Sequence, residues 1–226
     1  MATKKIAVDL FYDVISPYSW IGFEQLMRHQ NVWKSTNIRL KPFVLGFVMK
    51  GADNKPPLMV PNKAKYMLED IPRTANYFKV PLKMLGNFIE IAMSMGSLSA
   101  MRFVMAIDME TQGKATEAVS RELFKRMFTS HRDIGKDESL REAGSDAGID
   151  SSTIDKAIQS RSSPLVKDQL KANVDEALSY AAFGAPTIVA HLPSGRQIFF
   201  GCDRTEILAH LLGEKYHGPL LEYSKL

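Results

Sequence analysis

Apolar positions along the first 44 residues change their period twice. Residues 6–14 form a run of branched and aromatic residues, which predicts a buried strand. Apolar residues then recur at helical spacing, which predicts a helix over 17–33. The segment 38–44 alternates well enough for a second strand, although Pro42 weakens its end. Two strands joined by a helix predict a right-handed parallel βαβ unit.

The middle of the chain has a helical pattern. After a turn-rich loop at 51–57, helical spacing continues from Pro61 to about residue 180, and Ser97 is placed to cap one of these helices. The predicted breaks in this segment fall at Pro72, Pro81, Gly96, Gly113, Gly135, Gly148 and Pro164.

The last 40 residues return to short β-rich runs. The runs 186–191 and 196–200 enclose a Pro-Ser-Gly turn and predict a hairpin. Asp203 is predicted to open a final helix, with Glu206 at capping-box spacing and Gly213 ending it.

The order of these elements predicts an α/β, thioredoxin-like fold with a helical domain inserted between its two halves. We place the thioredoxin-like domain at 1–62 and 166–226, and the inserted all-helical domain at 63–165. Pro186 begins the third main strand, where this fold has a cis-proline facing the turn before the first helix. We therefore expect the Ala185–Pro186 bond to be cis.

Composition narrows the possible functions. The 226 residues are 45% hydrophobic and 24% charged, and the net charge of +4 is dispersed, so we expect no nucleic-acid binding. The N-terminus lacks the apolar stretch of a signal peptide, and no apolar run predicts a membrane span. The C-terminal Ser224-Lys225-Leu226 matches the peroxisomal import tripeptide.

Cysteine and histidine usage argues against a metal. The single cysteine, Cys202, excludes an intramolecular disulfide and a cysteine-based cluster. The five histidines are scattered without metal-binding spacing, so we expect no metal site.

The segment SPYSW, residues 16–20, is the candidate site. Ser16 is the natural N-cap and Pro17 suits the first helical turn, so this helix start should attract an anion. In redox relatives of this fold a Cys-x-x-Cys pair occupies the head of the helix, whereas this chain has Ser16 and Ser19. The thiolate should therefore come from a ligand, and glutathione is the obvious candidate.

Several residues could serve that ligand. The Ser16 hydroxyl could donate to the thiolate, and Ala185, before Pro186, could pair with the backbone of the tripeptide. Each has a simpler alternative from the sequence alone. Ser16 could be only a cap, and Ala185-Pro186 could only begin a strand. Asn54 and Asp203 are further candidates, but Asn54 could satisfy only its own loop and Asp203 could be only the cap of the last helix.

Taken together, the chain resembles the kappa-class glutathione transferases, a mitochondrial and peroxisomal branch with a DsbA-like fold. The matching stretches cover nearly the whole chain in order: 11–20, 54–57, 96–103, 182–186, 203–204 and 208–215. The resemblance implies a homodimer that conjugates glutathione to small electrophiles, with some peroxidase activity.

The resemblance also implies the site. Ser16 would be the catalytic partner of the thiolate. The glutathione-binding residues would be Ser16, Pro17, Tyr18, Asn54, Ala185, Pro186, Cys202, Asp203 and Arg204. The family usually has serine where this chain has Cys202, and often a larger apolar residue where it has Ala185.

These implications predict no tightly bound cofactor, with glutathione as co-substrate. The expected partners are glutathione, a small electrophile, a second copy of the chain, and a peroxisomal import receptor that reads the C-terminal tripeptide. The expected location is the peroxisome and, through the family, the mitochondrion. Two alternatives stay open: a glutathione-dependent isomerase of the 2-hydroxychromene-2-carboxylate type, and a non-catalytic glutathione-binding protein.

Overall fold

A computed structural model describes residues 5–84 and 96–226. Two stretches lie outside the described residues: 1–4, at the start of the predicted thioredoxin-like domain, and 85–95, within the predicted helical segment. The strands are β1 (Ile6–Tyr12), β2 (Thr36–Pro42), β3 (Thr187–Leu192) and β4 (Gly195–Phe200). They form one sheet in the order β2-β1-β3-β4. β1 and β2 are parallel, whereas β3 pairs antiparallel with both β1 and β4.

Within the described ranges the helices are α1 (Pro17–His29), α2 (Leu45–Gly51), α3 (Pro61–Phe78), α4 (Leu98–Thr111), α5 (Thr116–Phe128), α6 (Asp137–Asp146), α7 (Ser151–Ser160), α8 (Pro164–Ser179) and α9 (Thr205–Leu212). Short 3-10 turns occur at Pro57–Met59 and Leu221–Tyr223. The helices from α3 to α8 lie in sequence between β2 and β3. The predicted helical insertion is thereby confirmed, while the domain boundaries stay a prediction.

The predicted βαβ unit and hairpin are confirmed, with small shifts of their ends. β1 stops at Tyr12 because the Asp13 carbonyl accepts the Ser16 N–H at 3.0 Å, which turns the chain toward α1. α1 ends at His29 rather than at residue 33. The sequence pattern does not predict the short helix α2.

The predicted break at Pro72 is wrong, because Pro72 lies inside α3. Met67, Ile71 and Ala75 on either side of it are buried at helical spacing. Proline in a helix interior costs about 3 kcal/mol. Burial of this apolar stripe offsets that cost, so the helix continues.

Two predicted caps are also wrong. Ser97 precedes α4, but its hydroxyl donates to the carboxylate of Asp13 at 2.7 Å instead of capping the helix. α9 begins at Thr205 after Arg204, and no side chain in the described part of the chain caps it. The Asp203 side chain is 64% exposed and lies 3.3 Å from Arg204. Gly213 does end α9, with a φ of +68°.

The sheet has a different helical layer on each face. On one face, Phe11 and Val189 lie in a cluster with apolar residues of α2 and α8. The other face belongs to the main core with α1, where Trp20 stacks on Phe124 of α5 with ring centroids 5.9 Å apart. α1 is therefore held between the sheet and the inserted helices. Within residues 5–84 and 96–226, no helix combines the length and apolar character that crossing a bilayer requires.

Candidate active site

Asp13 fixes the turn that leads into α1. Its buried carboxylate accepts hydrogen bonds from the Ile15 N–H at 3.1 Å, the Leu45 N–H at 2.8 Å and the Ser97 hydroxyl at 2.7 Å. Burial raises the pKa of Asp13 to about 6, against the lowering effect of these bonds. One side chain thus ties the end of β1 to the starts of α2 and α4, which sets the position of Ser16.

Ser16 caps α1 as predicted and keeps a hydroxyl proton for another partner. Its oxygen accepts the Ser19 N–H at 3.1 Å, and the same hydroxyl faces the Ala185 carbonyl at 3.5 Å. Pro17 has no N–H to offer. Among the described residues the Tyr18 N–H has no hydrogen-bond partner. The Tyr18 amide and the Ser16 hydroxyl, whose contact with the Ala185 carbonyl is long, are therefore two donors at the head of α1 that a ligand could use.

The Ala185–Pro186 bond is cis, as expected from its place in the fold. Gly22 of α1 lets the loop that carries Pro186 lie close against the helix. A Cβ at Gly22 would lie 3.0 Å from Pro186 Cγ and 3.5 Å from the Cα of Cys202. Gln25, one turn later, donates to the Cys202 carbonyl at 2.6 Å. The helix therefore holds both loops against its own surface.

Cys202 is buried against α1, with 4% of its surface exposed. Burial raises the pKa of its thiol to about 12, so the thiol stays protonated at neutral pH. The side chain behaves as a small apolar residue in this position. Its neighbours Asp203 and Arg204 point outward at the rim and pair with each other.

Asn54 does more than satisfy its own loop. Its oxygen accepts the Lys55 N–H at 2.8 Å, and its amide donates to the Phe183 carbonyl at 2.7 Å. Phe183 stands two residues before Ala185. The side chain of Asn54 thus joins the loop after α2 to the segment that carries Ala185.

Tyr18 reaches from α1 to the inserted helices. Its hydroxyl donates to Asp70 of α3 at 2.8 Å. Sequence reasoning missed this contact, as it missed Asp13, Gly22 and Gln25. Each of these residues contacts a partner distant in the chain. Only Asp13 could have been noticed in the sequence, because an acid stands there at the end of an apolar strand.

The described residues bring the predicted site residues together at one edge of the fold, where the loops before β3 and α9 meet the start of α1. Within residues 5–84 and 96–226, no group of three or more histidine, cysteine, aspartate or glutamate side chains is placed to hold a metal ion.

Comparison with known proteins identifies the fold and the family of the chain. Residues 7–213 match the model of the DSBA-like thioredoxin domain. The structure is similar to that of a 2-hydroxychromene-2-carboxylate isomerase, with a TM-score of 0.71 and 21% identity over 92% of this chain and 94% of the other. This likeness shows the fold.

The class of this domain follows from two sequence relatives. The chain is 41% identical to glutathione S-transferase kappa 1 of Homo sapiens over 94% of its length and 93% of the relative. It is 33% identical to glutathione S-transferase kappa 2 of Caenorhabditis elegans over 98% of each chain. The chain belongs to the kappa class of the glutathione S-transferases.

Proposed function

We propose that this protein binds glutathione at the head of α1, activates it as a thiolate with Ser16, and transfers it to small electrophiles. The observation that carries the proposal is the state of the Ser16 hydroxyl. Its oxygen is used as the cap of α1, whereas its contact with the Ala185 carbonyl, at 3.5 Å, is longer than an ordinary O–H···O hydrogen bond. The proton of Ser16 is therefore available to a sulfur anion.

The energies suffice for the proposed activation. Lowering a thiol pKa from about 8.5 by two units requires about 2.7 kcal/mol. A hydrogen bond from Ser16 to the charged sulfur contributes about 1.5–3 kcal/mol. The helix dipole, with the free Tyr18 N–H at its end, adds about 0.3–1 kcal/mol. No general base is needed, because the thiol proton leaves to solvent when glutathione binds.

The chemistry is nucleophilic substitution. With an aryl halide the thiolate forms a carbon–sulfur bond, and halide leaves with the bonding electron pair. With an organic hydroperoxide the thiolate attacks the terminal oxygen, and the alcohol leaves after protonation. A second glutathione then displaces hydroxide from sulfur, giving glutathione disulfide and water. The protein supplies the same donors to the thiolate in both reactions.

The remaining site residues would hold the rest of glutathione. The main chain of Ala185, before Pro186, would pair with the cysteinyl residue, whose sulfur would lie over Pro17 and the Tyr18 amide. Asp203 at the rim would accept the γ-glutamyl ammonium, beside Cys202 and Arg204. Asn54 keeps the segment before Ala185 in place, through its bond to the Phe183 carbonyl.

The activity is tested by mixing glutathione with a model aryl halide and following thioether formation. Titration of bound glutathione at the ultraviolet thiolate band reports its pKa. A transferase should consume glutathione with a lowered thiol pKa. Turnover of a chromene carboxylate without loss of glutathione would point to an isomerase. Binding without a lowered thiol pKa would point to a carrier.

We further propose that the protein works as a homodimer, as the family resemblance implies. Light scattering should then give twice the chain mass of 25.3 kDa at micromolar concentration. A mass equal to one chain would contradict this.

We propose import into peroxisomes through Ser224-Lys225-Leu226, with a mitochondrial share implied by the family. Ser224 accepts a hydrogen bond from Arg28 at 3.3 Å, and Lys225 lies 2.8 Å from Glu117. Arg28 keeps its hydrogen bonds to the Phe78 and Pro219 carbonyls without the tripeptide, so we expect its removal to leave the enzyme active. Protein carrying a fluorescent tag at its N-terminus should lose its peroxisomal pattern after the deletion, and an unchanged pattern would count against the proposal.

A further inference from the structure

A carboxylate on α3 holds the tyrosine that stands beside the catalytic serine. Asp70 accepts the Tyr18 hydroxyl at 2.8 Å through one oxygen and the Tyr66 hydroxyl at 3.2 Å through the other. Arg73, three residues further along α3, lies 3.8 Å from the same carboxylate. The side chain of Asp70 is 18% exposed, so the group is partly shielded from solvent.

The Tyr18 hydroxyl must be the donor in this contact, because an ionised carboxylate can only accept. Burial raises the pKa of Tyr18, and the bond to Asp70 raises it further. The phenol therefore stays neutral and its proton points toward α3. Asp70 therefore takes the one proton that the Tyr18 hydroxyl can donate, and that proton is not offered to a thiolate.

This contact has two consequences for a thiolate at the head of α1. First, the Tyr18 phenol is engaged by Asp70, so it does not compete with the Ser16 hydroxyl as a donor to the thiolate. Second, the Tyr18 side chain is fixed at its base by the helix and at its tip by Asp70. A side chain fixed at both ends restrains the Tyr18 N–H. In the first turn of α1, this amide is the one without a hydrogen-bond partner among the described residues.

We propose that Asp70 is a positioning residue for the transferase reaction. By binding the Tyr18 hydroxyl it orients the Tyr18 amide and ring at the thiolate and reserves activation of the thiol for Ser16. The inference rests on the proposed function, because it concerns a thiolate bound at that site.

A double-mutant cycle tests the proposal. In Asp70→Ala and in Tyr18→Phe, we expect kcat/KM for a model aryl halide to fall several-fold. The pKa of bound glutathione should rise by about half a unit, which is a roughly threefold loss of thiolate at a given pH. The double variant should lose no more than either single variant, because both changes remove the same bond.

Two further variants separate positioning from general stability. Asp70→Asn should retain most of the activity, because its amide oxygen can still accept from Tyr18. Glu69→Ala removes the neighbouring carboxylate of α3, which is 63% exposed and lies 3.7 Å from Arg73. It should change neither the thiol pKa nor kcat/KM. If Asp70→Ala fails to fold, Tyr18→Phe with Asp70→Asn still decides the question, since only the first should lose activity.

The proposal is overturned if the losses multiply in the double variant, if Asp70→Ala leaves the thiol pKa unchanged, or if it lowers that pKa. Failure of the proposed function would look different. Wild-type protein would then show no lowered thiol pKa and no thioether formation, whereas failure of the Asp70 inference leaves both intact.

Discussion

The Ser16 hydroxyl lies between two partners of unequal strength: it accepts the Ser19 N–H at 3.1 Å and faces the Ala185 carbonyl at 3.5 Å. A hydroxyl has two lone pairs and one proton, so capping α1 does not use the proton. Cap and thiolate donor are therefore compatible roles of one side chain. The sequence alone presents them as alternatives.

Gly22 permits the close approach of the Pro186 loop to α1. Replacement by alanine would improve helix propensity by up to about 1 kcal/mol. The new Cβ, 3.0 Å from Pro186 Cγ, would push that loop outward. We expect Gly22→Ala to raise the Michaelis constant for glutathione several-fold, measured by initial rates at varied glutathione.

Gly46→Ala is the matched control, because a Cβ at this helical glycine meets no atom of residues 5–84 and 96–226 within 4 Å. It should leave the Michaelis constant unchanged and raise the melting temperature slightly, if at all. An unchanged Michaelis constant in Gly22→Ala as well would show that the loop adapts without cost to binding.

Asp203 offers a test of ligand binding that is free of helix capping. It does not cap α9 and is 64% exposed, so Asp203→Asn should leave the melting temperature unchanged. If Asp203 accepts the γ-glutamyl ammonium, the substitution should raise the Michaelis constant for glutathione several-fold. Glu206→Gln, a change of a nearby exposed acid, should not. Equal Michaelis constants for both variants would remove Asp203 from the binding site.

Asp13 should make stability depend on pH. Its folded pKa of about 6 lies above the ordinary value of 3.8, so folding disfavours its charged form. The contribution of Asp13 to stability is therefore greatest below about pH 4, falls as pH rises toward 6, and is constant above. The fall amounts to about 3 kcal/mol at 1.36 kcal/mol for each pKa unit.

Asp13→Asn isolates this effect, because it abolishes the titration and leaves other carboxylates in place. Denaturant unfolding at pH 4 and pH 7 should show wild type losing stability relative to Asp13→Asn as the pH rises. A difference between the two proteins that is independent of pH would mean that Asp13 titrates at its ordinary value.

Local signals in the sequence sufficed for much of the fold and for part of the site. The βαβ unit, the hairpin, the cap at Ser16 and the end of α9 at Gly213 each depend on neighbouring residues or on a regular period. The cis bond before Pro186 followed from the order of the elements, because that order fixes where the loop must meet α1.

The errors and omissions concern side chains whose partners are distant in the chain. Ser97 has the residue type of a cap, but Asp13, 84 residues away, takes its hydroxyl. Gln25 donates a hydrogen bond to the carbonyl of Cys202, which is 177 residues away, and no spacing in the sequence predicts that bond. Pro72 does not break α3 because tertiary burial on both sides outweighs its local preference.

Two serines at the head of α1, Ser16 and Ser19, differ in the role we assign to their hydroxyls. Ser19→Ala removes a buried hydroxyl that has no hydrogen-bond partner among the described residues, so it should leave glutathione activation intact and stability equal or higher. Ser16→Ala removes the proposed donor, and we expect roughly a hundredfold loss of turnover. Glutathione affinity should stay within about tenfold, a change of about 1.4 kcal/mol.

The decisive measurement is the titration of bound glutathione at the ultraviolet thiolate band in wild type, Ser16→Ala and Ser19→Ala. We expect a lowered thiol pKa in wild type and Ser19→Ala, and in Ser16→Ala a return toward the value of free glutathione. A thiol pKa that stays equally low in Ser16→Ala would contradict the role of Ser16 in activating glutathione.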